Sequence, residues 1–208
     1  MAETPDTQSP WDARFAGTDY IYGTEANAWV VEALQRYPAI RGGRALELAC
    51  GEGRNAVYLA EQGYAVTAVD SSPVGLEKTR ALAQSRGVSV KTVCADALAW
   101  RAEEPFDLVV ATWFHVAPER KQDLFRTIRE AVRPGGVLIA EWFHPEQRLT
   151  GLTSGGPPDP AMMFTVEELQ AGLPDFTFDS LTHAQRTISE GPKHSGPASI
   201  ISLAAKRT

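Results

Sequence analysis

Two carboxylates and two glycines in RALELACGEGRNAVYLAEQGYAVTAVD (residues 44–70) have the types and spacing to hold a reactive small molecule. The stretch alternates as strand, glycine turn, helix and second strand, which puts Glu47 near the close of one strand and Asp70 at the close of the next. Ala49 leads into the turn, where Gly51 and Gly53 let the backbone pass close to a ligand that side chains would block. The helix that follows presents free N–H groups and the positive end of its dipole to that turn. Asp70, 17 residues after Gly53, is spaced to accept both hydroxyls of a ribose. The chemistry is that of a nucleoside half-site.

Two nucleoside cofactors compete for it. Gly51, Gly53 and Ala56 meet the G-x-G-x-x-G/A pattern of a dinucleotide site loosely, which keeps a nicotinamide-dependent oxidoreductase open. Glu47 separates the two, because a carboxylate just ahead of the turn repels a pyrophosphate. S-adenosylmethionine places an ammonium there instead, and its carboxylate suits the helix N-terminus with Arg54 and Asn55.

The elements around this unit must carry it on a sheet. A helix begins at Asn27 or Glu25, with Trp29, Val30, Ala33 and Leu34 on one face, and ends at Pro38 and Gly42-Gly43. Strands are expected at 45–49, 65–69, 88–93, 107–112 and 137–142, with helices at 54–62, 73–87 and 118–132 between them. Such alternation means a parallel sheet covered by helices on both faces. Beyond it come a Gly/Pro-rich loop at 145–160, read as an active-site lid, a short helix at 166–172, and two strands at 176–188 and 198–206. The first ten residues are polar and read as frayed, and residues 11–27 form an aromatic segment.

Composition excludes several classes. The 208 residues suit one α/β domain, here taken as 1–208 with 1–27 as a cover over the cofactor. With 20 Lys+Arg against 26 Asp+Glu the net charge is −6, and no basic run offers itself to a nucleic acid. No apolar window is long enough to span a membrane and the N-terminus has no leader pattern, so a soluble cytoplasmic enzyme is expected. Cys50 and Cys94 read as small core residues. No His/Cys/acid group has metal-ligand spacing, so no metal is expected.

The ordered series ELACGEGRN (47–55), AVTAVD (65–70), CADAL (94–98), FDLVVATWFH (106–115) and AVRPGGVLIAEW (131–142) resembles the class I S-adenosylmethionine-dependent methyltransferases over nearly the whole chain. WDARFAGTDYIYGTEAN, GRNAVYLAEQGY and the late SGGP and HSGPA segments resemble, within that class, the small bacterial group related to tellurite-resistance, thiol and selenol methyltransferases. The resemblance implies a Rossmann-like, doubly wound, seven-stranded, mostly parallel sheet in the order 3-2-1-4-5-7-6, the last strand antiparallel. It implies S-adenosylmethionine as cofactor and S-adenosylhomocysteine as product. Asp70 would hold the ribose, Asp96 and the Ala97 N–H the adenine edge, and Ser71 and Leu98 its faces; Ala111 and Thr112 would meet the methionine part through backbone.

Methyl transfer needs an aligned nucleophile and excluded water. Trp113 and Phe114 follow the fourth strand where the methyl should emerge, and an aromatic face there stabilises a sulfonium. His115 and His144, just past strands four and five, are candidate proton acceptors, with Tyr22 as a third catalytic candidate beside Tyr20 in the cover; His194 falls in the late loop and His183 in a strand. Strand four ends ATWFH, without the Asn/Asp-Pro-Pro-Tyr amine clamp, and there is no separate substrate domain. A small soft acceptor (thiol, selenol or chalcogen oxyanion) is therefore expected ahead of a small O- or N-acceptor. A non-catalytic cofactor-binding regulator is the rival of another class. The sequence leaves the oligomeric state open.

Overall fold

Three short runs, RALEL, AVTAVD and FDLVVAT, are apolar on both faces and lie buried at the centre of the molecule. Such runs suit parallel strands covered on both sides. The computed structural model describes residues 9–37 and 40–208; the Pro38 helix stop and the first eight of the ten residues expected to fray lie outside them, whereas Ser9 is held in place, buried with its N–H donating to Asp12 at 3.0 Å. The strands are β1 (Arg44–Leu48), β2 (Ala65–Asp70), β3 (Lys91–Cys94), β4 (Phe106–Thr112), β5 (Val132–Phe143), β6 (Phe176–Ser189) and β7 (Ser195–Arg207). They form one sheet in the order β3-β2-β1-β4-β5-β7-β6. β7 runs antiparallel to both neighbours, and the pairs from β3 to β5 are parallel. Fold class, order and the placement of the antiparallel strand are as expected.

The helices among the described residues are α1 (Asp12–Phe15) and α2 (Ala28–Leu34) ahead of the sheet, and α3 (Arg54–Glu61), α4 (Pro73–Ser85), α5 (Lys121–Ala131), α6 (Glu146–Leu149) and α7 (Val166–Gly172) between its strands. Trp29, Val30, Ala33 and Leu34 of α2 join Ala56 and Leu59 of α3 against Ala45, Leu108 and Ile139 on one face of the sheet. Leu124, Phe125 and Ile128 of α5 cover Leu46, Val109 and Leu138 on the other. Asn27 caps α2, its side chain accepting the Val30 N–H at 3.0 Å. Gly53 must be glycine. Its φ is +86°, and a Cβ there would sit 2.5 Å from the Thr79 side chain.

Several boundaries differ from the sequence reading for local reasons. β3 starts at Lys91, because β2 offers it partners only from Thr67 to Asp70. β5 starts at Val132, which pairs with Phe106 before the register shifts across Pro134-Gly135-Gly136. Residues 118–120 form a 3-10 turn ahead of α5. The 145–160 segment is partly helical, since α6 occupies 146–149. Cys50 is buried as expected, whereas Cys94 ends an edge strand and is exposed. Strand order reverses between β1 and β4, so the C-terminal ends of these strands open a crevice there, where open α/β sheets bind ligands.

Candidate active site

A cavity of about 440 Å³ occupies that crevice. Ala49 and Trp113, which leave β1 and β4, have φ of +54° and +57°. A left-handed conformation is uncommon for residues other than glycine, and two at adjacent strand ends mark a functional edge. The positive φ turns the chain sharply at each point, so the backbone lines the cavity instead of running out of the sheet.

At one end of the cavity the polar side chains are already engaged. The Glu47 carboxylate, buried behind the glycine turn, accepts the Ala56 N–H at 2.7 Å and the Asn55 side-chain N–H at 2.8 Å. It thus caps α3 from the preceding strand, where Gly53 has no side chain to do so. Burial raises its pKa to about 7 against the pull of those two bonds. Asp70 accepts the Gly51 and Ser72 N–H groups, each at 2.8 Å, and burial again raises its pKa. Asp96 accepts the Leu98 N–H at 2.9 Å while its carboxylate stays half exposed beside Ala97.

Arg54 has a different job from the one its spacing suggests. Its guanidinium donates to Glu190 at 2.6 Å and to the Tyr22 carbonyl at 3.0 Å, with both charged side chains only 7% exposed. Glu190 also accepts from Asn27 at 2.9 Å and from the Trp113 indole at 3.0 Å. Asn55 spans Glu47 and Thr112, at 2.8 and 2.9 Å. Together these bonds fasten the aromatic N-terminal segment and the β6–β7 turn onto the glycine turn. Glu52 adds to this, accepting the Ile21 N–H at 2.8 Å and the Lys78 ammonium at 2.7 Å.

The opposite end is walled by Trp113, Phe143, Met162, Pro157 and Tyr22, with His115 and His194. His115 does not have a nitrogen free for proton transfer. Its Nδ1 lies 3.2 Å from the Met162 carbonyl and its Nε2 accepts the Phe143 N–H at 3.3 Å. Burial lowers its pKa to about 4, so the neutral ring with Nδ1–H satisfies both bonds. His194 is the other case. It is 6% exposed, packs against Tyr22, Trp113 and Phe143 at centroid separations of 4.6, 5.0 and 5.4 Å, and its buried Nδ1 has no partner. Burial lowers its pKa to about 3. Gly155 makes room for it, since a Cβ there would stand 2.6 Å from the His194 ring.

Of the residues expected at the site, Glu47, Ala49, Gly51, Gly53, Arg54, Asn55, Asp70, Ser71, Asp96, Ala97, Thr112, Trp113, Tyr22 and His115 line the cavity. Leu98 and Ala111 do not, because their side chains belong to the core beneath it. Tyr20 turns away onto Val57 and Leu82, its hydroxyl donating to the Lys78 carbonyl at 3.0 Å. His144 is outside the cavity, stacked on His183 at 3.7 Å. Residues 155–158 of the expected lid reach the cavity. Glu52, Glu190, Lys193 and His194 were missed. Only the fold brings the late β6–β7 turn to the strand ends, and Glu52 stands in the sequence as one acid between Gly51 and Gly53.

Residues 45–136 match the family model described as a methyltransferase domain. The chain is 26% identical over 192 residues to a probable thiol methyltransferase 2 of Arabidopsis thaliana, covering 89% of this chain and 79% of that protein. It is 31% identical over 140 residues to a tRNA 5-carboxymethoxyuridine methyltransferase of Escherichia coli strain K12, covering 60% of this chain and 52% of that one. Among solved structures, TehB from Haemophilus influenzae has a similar fold, with a TM-score of 0.69 at 18% identity over 95% of this chain and 66% of that one. The chain spans 38%, 44% and 52% of the length of three curated relatives that it matches. No helix among the described residues is long and apolar enough to cross a membrane.

Proposed function

We propose that the chain is a class I S-adenosylmethionine-dependent methyltransferase resembling the tellurite-resistance and thiol methyltransferase group, and that it methylates a small soft nucleophile, a thiol or selenol foremost. One observation carries this reading. A single cavity runs from the satisfied carboxylates at Glu47 and Asp70 to an apolar wall at Trp113, Phe143 and His194.

In this reading Asp70 takes the ribose diol, Asp96 and the Ala97 N–H take the adenine edge, and Glu47 faces the amino acid ammonium. Arg54 is committed to Glu190, so the cofactor's carboxylate falls to the backbone of the glycine turn and to Arg14, stacked over Trp11 and Tyr22 at the mouth. A cavity of about 440 Å³ lies low in the usual range of roughly 300–1,000 Å³ for small-molecule sites. A nucleoside cofactor leaves room in it for little more than a small acceptor. The N-terminal segment and residues 155–158 close over both.

The reaction is an in-line displacement. The acceptor's lone pair forms a bond to the methyl carbon while the carbon–sulfonium bond breaks, leaving a neutral thioether. Neither His115 nor His194 is a strong enough base to draw a proton from a thiol at neutral pH, since burial holds both rings neutral. The acceptor therefore enters as its anion, which for a free thiol of pKa ~8.5 is a few per cent of the total at neutral pH. Arg14 and Lys193 at the mouth favour that anion, and Tyr22 and His194 orient it.

Transfer of a labelled methyl group from S-adenosylmethionine to a panel of thiols, selenols, tellurite, catechols, amines and tRNA tests the proposal. Product from thiols or selenols, with a rate that rises toward the acceptor's own pKa, is the expected result. Product confined to amines, catechols or tRNA would overturn the acceptor class. Tight NAD(P) binding with none of S-adenosylhomocysteine would overturn the cofactor, and cofactor binding without transfer to any acceptor would favour a regulator.

A further inference from the structure

His144 and His183 stand 39 positions apart in the sequence, yet their rings stack at 3.7 Å with 24° between planes. β7 brings them together. The His144 N–H donates to the Ser199 carbonyl at 3.0 Å on one side of β7, and His183 pairs with Ile201 on the other. The His183 ring reaches over the small Ser199, its Nε2 2.9 Å from that hydroxyl. Glu146, at the first position of α6, brings a carboxylate oxygen to 3.5 Å from His183 Nε2. One donor atom from each of the three residues lies within 4.8 Å of the other two.

We propose that His144, His183 and Glu146 form a binding site for a divalent first-row transition-metal ion, separate from the methyl-transfer cavity. Two imidazoles and one carboxylate suit Zn²⁺, Ni²⁺ or Cu²⁺ and do not suit Mg²⁺ or Ca²⁺, which favour all-oxygen shells. Three protein ligands leave a coordination position for water. Metal–ligand bonds of about 2.0–2.2 Å need donors about 3.3 Å apart, so the side chains close by roughly an ångström onto the ion. The ion takes the place of the Ser199 hydroxyl, which lies 2.9 Å from His183 Nε2.

The supports of this cluster are rigid. Behind it the Gln147 side chain is buried, accepting the Ser199 N–H at 2.8 Å and donating to Ser154 at 3.1 Å. That clamp fixes the first turn of α6 against β7, so the carboxylate and both rings hang on elements already held in register. Sequence spacing could not reveal the group, because two of its ligands come from one turn and the third from a strand two places away in the sheet.

The test uses the full, tag-free chain stripped with a chelator. Calorimetric titration with Zn²⁺, Ni²⁺ and Mg²⁺ should show saturable binding of the first two and none of the third, with a rise in thermal stability that tracks ion concentration. Bound Co²⁺ should show visible d–d absorption. His183→Phe keeps an aromatic ring on the His144 stack without a lone pair, and Glu146→Gln keeps the helix turn without the charge. Each should weaken Zn²⁺ binding by about tenfold or more, by analogy with the loss of metal-site groups. No saturable Zn²⁺ or Ni²⁺ binding, or affinities within twofold of the unaltered chain in both variants, would overturn the proposal. S-adenosylhomocysteine binding, measured in parallel, reports the integrity of the cavity independently.

Discussion

The two ends of the cavity are built on opposite plans. Around the glycine turn, Glu47, Arg54, Asn55 and Asp70 each have protein partners at 2.6–3.0 Å before any ligand arrives. Around Trp113 the wall is aromatic, and one buried polar group in it, His194 Nδ1, has no partner. A site that satisfies its own carboxylates is rigid and costs little to organise when a constant ligand binds. A site that leaves one polar group unspent in an apolar wall asks the ligand to satisfy it. The contrast fits an invariant cofactor at one end and a discriminated acceptor at the other.

The largest effect should come from breaking the committed end. Arg54→Ala leaves Glu190 buried without its guanidinium, and removing one partner of a buried pair costs about 3–5 kcal/mol. Chemical denaturation should show that loss, and Arg54→Ala with Glu190→Gln together should lose less than the sum. Additive losses would mean that the pair does not tie the β6–β7 turn to the glycine turn. Next in size, Asp70→Asn should weaken S-adenosylhomocysteine binding by about 1.5–3 kcal/mol, the range for a hydrogen bond to a charged group. Calorimetry showing an unchanged affinity would remove Asp70 from the cofactor's ribose.

The committed end was legible in the sequence to a degree that the open end was not. Glu47, Gly51, Gly53 and Asp70 lie within one strand–turn–helix–strand unit, so local spacing places them. Strand order and the antiparallel β7 followed from the resemblance, since alternation alone gives only a parallel core. The spacing also offered Arg54 to the cofactor, and a buried acid 136 positions later claims it instead. His194 depended on the same long-range contact, because the β6–β7 turn meets the strand ends only in the folded sheet. His115 and His144 were placed at the right strand ends. Strand position, however, says nothing of which way a ring faces or what occupies its nitrogens.

At the open end, His194→Phe preserves the aromatic packing and removes the nitrogen. We expect kcat/KM for a thiol to fall about tenfold to a hundredfold, as for loss of a hydrogen bond to a charged acceptor, with cofactor affinity unchanged. An equal loss of cofactor affinity would place His194 on the wrong side of the methyl group. His115→Phe should leave the pH profile of transfer unaltered, because both nitrogens already serve the Met162 and Phe143 backbone.

The smallest effect separates the two ends by pH. The folded pKa of Glu47 is raised to about 7 from an ordinary 4.5, by burial above all. Below the lower value both folded and unfolded chains hold the proton and the group contributes nothing. As pH rises from 4.5 toward 7 the unfolded chain sheds the proton first, so the cofactor-free protein loses stability across that window. A cofactor ammonium beside Glu47 favours the ionised form and lowers its pKa, so binding near pH 6 should release a proton. Each unit of pKa recovered strengthens binding by about 1.4 kcal/mol, or about tenfold, once pH exceeds the free protein's value. Titrations of S-adenosylhomocysteine at pH 6 in buffers of different ionisation enthalpy should therefore give different apparent heats, and Glu47→Gln should erase the difference. His194 and His115, neutral throughout that range, should add nothing. Buffer-independent heats in the unaltered chain would mean that Glu47 serves only to cap α3.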